Sequence, residues 1–102
     1  MPSEVRTRED ILKSRAEIPD HVVFRSFVAE TVILNLNTGK YHGVNPTGGY
    51  MLELLKKFGS IEQSAATLAS ECGLELEDAQ NDLSDFCVEL EQRGLIVVKN
   101  AG

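Results

Sequence analysis

Residues 32–55 read VILNLNTGKYHGVNPTGGYMLELL, and the fold turns on how this stretch divides. Val32, Leu34 and Leu36 alternate with Ile33, Asn35 and Asn37, the period of a strand whose side chains point to opposite faces. Asn37-Thr38-Gly39 suits a three-residue hairpin turn with glycine in the left-handed region. A short strand over residues 40–44 runs to Asn45-Pro46, where a helix begins. Asn45 caps it through its side-chain oxygen, and Pro46 sits at the first helical position, where a missing N–H costs nothing. A strand this short, carrying Gly43 and leading straight into a helix, predicts an uncovered sheet edge. Unpaired N–H and C=O groups on such an edge can take an extended peptide as one more strand.

The elements on either side build a domain around this unit. Upstream, residues 21–29 (HVVFRSFVA) are rich in Val and Phe and read as a strand. Val22, Phe24 and Val28 share one parity and Val23, Arg25 and Phe27 the other, so the pattern leaves its core face open. Glu30-Thr31 is the expected turn. Downstream come three helices with apolar residues at helical spacing. Tyr50, Met51, Leu54, Leu55 and Phe58 stripe the first, which Gly59 stops. Ser60-Ile61-Glu62-Gln63 has the form of a capping box for the second, lined by Ile61, Ala65, Leu68 and Ala69 and ended by Gly73. The third spans about residues 77–93, with Ala79, Leu83, Phe86, Cys87 and Leu90 inward and Gly94 at its close. Residues 95–98 are apolar and add either a last short strand or simple packing. Residues 1–20 are charged and weakly patterned. They are expected as a partly ordered arm, with at most one helical turn over 10–16, ahead of a domain at 21–98. The order predicts an α+β fold, winged-helix-like, with an N-terminal three-stranded antiparallel sheet followed by three helices.

Composition narrows the function. The chain has 102 residues, enough for one domain, and a formal net charge of −6. That balance disfavours nucleic acid and anionic membrane surfaces, where Lys and Arg supply the affinity, and it suits a basic peptide. No apolar run approaches the ~20 residues of a membrane span. The N-terminal MPSEVRTRED lacks the apolar core of a signal peptide, so a cytoplasmic location is expected. Cys72 and Cys87 are too few for a disulfide scaffold and are expected as two reduced, buried thiols. With His21 and His42 they match no metal motif, so no metal or other cofactor is expected. No His–carboxylate–nucleophile set is present, and a domain of this size leaves little room for a catalytic pocket. The reading is therefore not an enzyme. Gly48-Gly49 near a helix start is too little for a phosphate site without a surrounding P-loop pattern.

Leu36-Asn37-x-Gly39-x-Tyr41-x-x-Val44-Asn45-x-x-Gly48 resembles the signature of the pyrroloquinoline-quinone biosynthesis protein D (PqqD) family. The later pieces agree in order and spacing: residues 50–55, residues 60–68, and Asp82-Leu83-x-x-Phe86-x-x-x-Leu90-x-x-x-Gly94-Leu95. The resemblance covers residues 21–98. It implies a precursor peptide recognition element, a module that grips the leader segment of a ribosomally made peptide. Such a module presents the leader to a maturation enzyme, such as a leader protease or a radical S-adenosylmethionine (SAM) enzyme. The leader would add beside the third strand and lie against the third helix. Two departures, His42-Gly43 where an aromatic is usual and Met51-Leu52 where a tryptophan is common, favour a lasso-peptide or related pathway. The alternative within the family is a peptide chaperone of the quinone-cofactor pathway.

The residues expected to bind the peptide follow from the edge and the implied groove. Lys40, Tyr41, His42, Gly43 and Val44 form the docking edge, and Gly43 permits close approach because it has no side chain. Asp82, Asp85 and Glu89 fall at i, i+3 and i+7 and make an acidic stripe to meet a basic leader residue. Phe86 would floor an anchor pocket. The expected partners are the leader and its maturation enzyme, with the chain a monomer or weak homodimer. Two readings of another class remain open. A winged-helix DNA-binding regulator would need a basic recognition helix, yet the third helix carries Glu77, Asp78, Asp82, Asp85, Glu89 and Glu91 against Arg93 alone. A structural subunit could use the same edge to dimerise.

Overall fold

The computed structural model describes residues 7–100. In chain order the elements are α1 (Arg8–Leu12), β1 (Arg15–Glu17), β2 (Val22–Ser26), β3 (Thr31–Asn35), β4 (Tyr41–Val44), α2 (Pro46–Phe58), α3 (Ile61–Cys72), α4 (Leu76–Gln92) and β5 (Val97–Lys99). The sheet β2-β3-β4 is antiparallel throughout and precedes the three long helices, so the α+β fold class stands. A second sheet pairs β1 with β5.

The turns differ in detail from the sequence reading. The Phe27 amide donates to the Glu30 carbonyl at 2.7 Å, so Val28-Ala29 makes the first turn and Thr31 already belongs to β3. Thr31 is a β-branched residue that suits a strand, and its hydroxyl meets that of Ser26 at 2.9 Å across the ladder. The second connection is one residue longer than expected. The Asn35 amide donates to the Lys40 carbonyl at 2.9 Å, leaving residues 36–39 as the loop. Gly39 takes φ +74°, the left-handed position foreseen for it.

The strand alternation is real, but its more apolar set faces outward. Ile33 is 1% exposed and shares the core face with Thr31, whereas Val32 and Leu34 are half-buried and Leu36 is 56% exposed. The helix behind the sheet accounts for this. A Cβ on Gly49 would lie 2.0 Å from Thr31 Oγ1, and one on Gly48 would lie 3.1 Å from Val44 Cβ and 3.3 Å from Phe86. The glycine pair lets the first turn of α2 lie directly on β3 and β4, which fixes the inner face.

Local signals set the helices well. Asn45 Oδ1 accepts the Gly48 amide at 2.8 Å, and Ser60 Oγ accepts the Gln63 amide at 3.1 Å. Gly59 and Gly73, both at positive φ, end α2 and α3. Burial on α2 is broader than one stripe. Met51, Leu52, Leu54 and Leu55 are all buried because α2 lies between the sheet and α3, while Tyr50 and Phe58 are only partly covered. Cys87 is buried as expected. Cys72 is exposed, because it ends α3 beyond that helix's inward face.

The described part of the N-terminal segment is folded onto the domain rather than set apart as an arm. Ile11 of α1 and Ala16 of β1 are buried in the core. β1 aligns Arg15 with Lys99, Ala16 with Val98 and Glu17 with Val97, so the apolar run near the C-terminus becomes a strand. The Ala16 amide also donates to the Gly59 carbonyl at 2.8 Å, tying β1 to the end of α2. Residues 1–6 of the expected arm lie outside the described residues.

Candidate functional site

The site is built from one strand edge and one helix face. Among the described residues β4 pairs with β3 alone, matching Thr31 with Val44, Val32 with Gly43, Ile33 with His42 and Leu34 with Tyr41. In an antiparallel ladder, residues alternate between bonding inward and pointing their backbone groups away. The Asn35–Lys40 bond sets the phase. His42 and Val44 therefore bond to β3, and Tyr41 and Gly43 turn their N–H and C=O groups to the free edge. Side-chain direction carries the same parity. His42 and Val44 lie on the core face and are partly buried, while Tyr41, 73% exposed, and Gly43 lie on the outer face.

Opposite this edge runs α4, and between them lies a groove in two parts. The larger, about 470 Å³, is lined by Gly43, Val44, Gly48, Asp82, Asp85, Phe86 and Glu89 among others. The smaller, about 240 Å³, is lined by His42, Gly43, Val44, Glu89, Arg93 and Leu95 among others. Phe86 is partly buried, lines the larger part and packs on the core, so it forms floor and core at once. Lys40 stands apart from the other candidates. Its carbonyl closes the hairpin, and its amide donates to Thr38 Oγ1 at 3.2 Å. Its backbone belongs to the turn rather than to the open edge.

The acidic stripe is present and is partly answered within the chain. Asp82, Asp85 and Glu89 are all exposed on the groove side of α4. Arg8 of α1 approaches Asp85 at 3.6 Å and bonds the side chain of Asn81. Arg93 pairs with Glu89 at 3.3 Å and reaches His42 Nδ1 at 3.4 Å. Sequence reasoning missed both arginines as neighbours of the site. The four-residue spacing of Glu89 and Arg93 was a usable signal. Arg8 lies 77 positions from Asp85 and carried none.

Glu30 adds a feature at the edge itself. A Cβ on Gly43 would lie 2.6 Å from Glu30 Oε1, so the Glu30 carboxylate rests over Gly43 on the outer face. Among the described residues, no group of three or more His, Cys, Asp or Glu side chains is arranged to hold a metal. No helix among them is long and apolar enough to cross a membrane.

This β4–α4 arrangement accompanies a family match over residues 30–96, to the model described as Coenzyme PQQ synthesis protein D (PqqD). The chain belongs to the PqqD family. The match takes in β4, the groove and all of α4, so every candidate residue lies within it. Two solved structures share the fold. The structure of TbiB1 in complex with the TbiA(beta) leader peptide is 29% identical with a TM-score of 0.71, covering 78% of this chain and 93% of that one. The structure of lasso peptide synthetase B1 complexed with the leader peptide is 22% identical with a TM-score of 0.72, covering 81% of this chain and 98% of that one. Among curated proteins, none matches the chain.

Proposed function

We propose that this PqqD-family domain binds the leader segment of a ribosomally made precursor peptide and presents it to a maturation enzyme. The leader adds as an antiparallel or parallel fourth strand outside β4, and its side chains enter the groove against α4. Tyr41 and Gly43 supply the main-chain bonds. His42, Val44 and Phe86 shape the pockets, and Asp82, Asp85 and Glu89 favour a basic leader residue. Main-chain bonds give such docking its affinity, and the pockets beside the edge give it selectivity.

The observation that carries this reading is the ladder phase at β4, which turns the backbone groups of Tyr41 and Gly43 away from the protein's own sheet, with Gly43 at the groove. The likeness to TbiB1, whose structure holds a leader peptide, supports it. The lasso-type reading rests on His42-Gly43 and Met51-Leu52 in this chain, and the fold shared with lasso peptide synthetase B1 is consistent with it. The enzyme served is a leader protease or a radical SAM enzyme, and the chain itself performs no chemistry on the peptide.

The test is a titration of the 15N-labelled chain with leader segments from short reading frames neighbouring its gene. The amides of Tyr41 and Gly43 should shift first, together with those of α4 near Phe86. A leader that binds without moving them, or failure of every neighbouring leader to bind, overturns the proposal.

A further inference from the structure

The sheet has a second edge, and its surroundings are opposite in charge to those of the first. Among the described residues β2 pairs only with β3. The Phe27–Glu30 bond sets its phase, and the Leu36 amide, which donates to the His21 carbonyl at 2.7 Å, agrees with it. Residues 23 and 25 thus bond to β3, and Phe24 turns its N–H and C=O outward. The neighbouring outward amide, that of Val22, is taken by the Pro19 carbonyl at 3.0 Å. Phe24 and Ser26 are therefore left open on this edge, and Phe24 is the one that lines the cleft beside it.

Beside it lies a cleft of about 670 Å³, bounded by β1, residues 18–20, β2 and the last turn of α2. Arg15, Lys56 and Lys57 line it. Lys56 Nζ stands 5.6 Å from the centre of the Phe24 ring, and Lys57 Nζ stands 5.3 Å from that of Phe58. Two carboxylates also line the cleft, but Glu17 is paired with Lys99 at 3.1 Å, leaving Asp20 against three cations. Part of this charge serves the fold. Arg15 donates to the Phe58 carbonyl at 3.2 Å, and lysines in a last helical turn complement the helix dipole. Those roles do not account for an open strand edge aligned with the cations. In a chain of net charge −6, this cleft is a cationic island.

We infer that the cleft between β2 and the end of α2 is a second docking groove, taking an extended acidic segment of a partner protein. Main-chain bonds at Phe24 hold the segment, and its carboxylates meet Lys56, Lys57 and Arg15. Charge complementarity identifies the occupant, since like charge across an interface suppresses wrong partners and opposite charge speeds the right ones. The basic leader residue suited to α4 is disfavoured here, and an acidic segment is disfavoured at α4. One sheet thus offers two edges to two different guests at once. This inference does not depend on what binds β4.

The test uses the full 15N-labelled chain and a short capped peptide of alternating Glu and Thr, with alternating Lys and Thr as control. The acidic peptide should shift the Phe24 amide and the amides of residues 56–58, leaving Tyr41 and Gly43 unmoved. The double variant K56Q/K57Q, which keeps helix-forming side chains, should weaken that binding about tenfold. Raising salt to about 1 M, where the Debye length is about 3 Å, should weaken it as well. No shift at Phe24, shifts confined to Tyr41 and Gly43, or equal binding of the basic control would overturn the inference. So would self-association in sedimentation that K56Q/K57Q abolishes, which would assign the cleft to a second copy of the chain.

Discussion

The amide of Asn35 donates to the carbonyl of Lys40 at 2.9 Å, and this single bond sets which backbone groups of β4 are available to a guest. Counting from it, His42 is committed to β3, and Tyr41 and Gly43 are not. A shift of one residue in the loop would exchange the two sets, because the period of a strand is two.

Proline at the edge should separate these roles. Tyr41→Pro removes an outward N–H and should leave the fold intact, since proline is tolerated where a strand's N–H faces solvent. Leader affinity should fall about tenfold, in line with one lost main-chain bond of about 1 kcal/mol plus the lost aromatic contact. His42→Pro removes a ladder bond to Ile33 and should lower the unfolding midpoint. Calorimetric titration and circular dichroism on the two variants check this. Equal binding by wild type and Tyr41→Pro would count against docking at β4.

Charge reversal on α4 should act on binding more than on stability. Asp85 and Glu89 are exposed, and their partners Arg8 and Arg93 are half-exposed, so each ion pair is worth about 0–1 kcal/mol. Asp85→Lys with Glu89→Lys should therefore change stability by less than about 2 kcal/mol. Affinity for a leader with a basic residue should fall, chiefly through a slower on-rate that salt also reduces. Stopped-flow association at two ionic strengths measures it. An unchanged on-rate would show the stripe to be ordinary solvated surface.

The glycine pair under the sheet should be intolerant of side chains. Gly49→Ala places a Cβ 2.0 Å from Thr31 Oγ1 and 2.8 Å from Thr31 Cβ, so α2 must move off β3. Overpacking of this kind costs about 1–3 kcal/mol. Urea denaturation should show a lower midpoint with an unchanged slope. The double variant with Thr31→Ala, which removes the Oγ1 contact and keeps the Cβ at 2.8 Å, should recover only part of the loss.

The two cysteines should differ sharply in reactivity. Burial, aided by the nearby Glu91 carboxylate, pushes the Cys87 thiol from its ordinary 9.0 up to about 12. A thiol-specific reagent at pH 8 should modify the exposed Cys72 in the folded chain and reach Cys87 only on unfolding. The same shift gives a pH dependence of stability. Below about pH 9 the Cys87 thiol is protonated in both folded and unfolded chains, and the term is absent. As pH rises from about 9 towards about 12 the unfolded chain loses this proton first, so stability falls by up to about 1.4 kcal/mol per pH unit. Cys87→Ala should remove that alkaline slope, and a slope that survives the substitution would assign it to another group.

Much of the molecule was readable along the chain because it rests on neighbours in sequence. Asn45-Pro46, Ser60 and the glycines at 39, 59, 73 and 94 each mark a cap or turn through their own backbone preference, and each does so in the structure. The order of three strands and three helices, the short β4 and the acidic face of α4 followed from periodicity in the same way. The rest depended on residues far apart in sequence. Alternation separated Val32, Leu34 and Leu36 from Ile33 and Asn35 without saying which set lies inward, and Ile33 and Thr31 face the core because Gly48 and Gly49 bring α2 against that side. β1 had no visible signal, since its partner residues in β5 lie eighty or more positions away. The pairing of Arg8 with Asp85 and the cationic cleft beside Phe24 likewise exist only once the chain is closed on itself. Local preference sets what each segment becomes; which faces and edges meet is set by packing between segments, and the site lies where two of them meet.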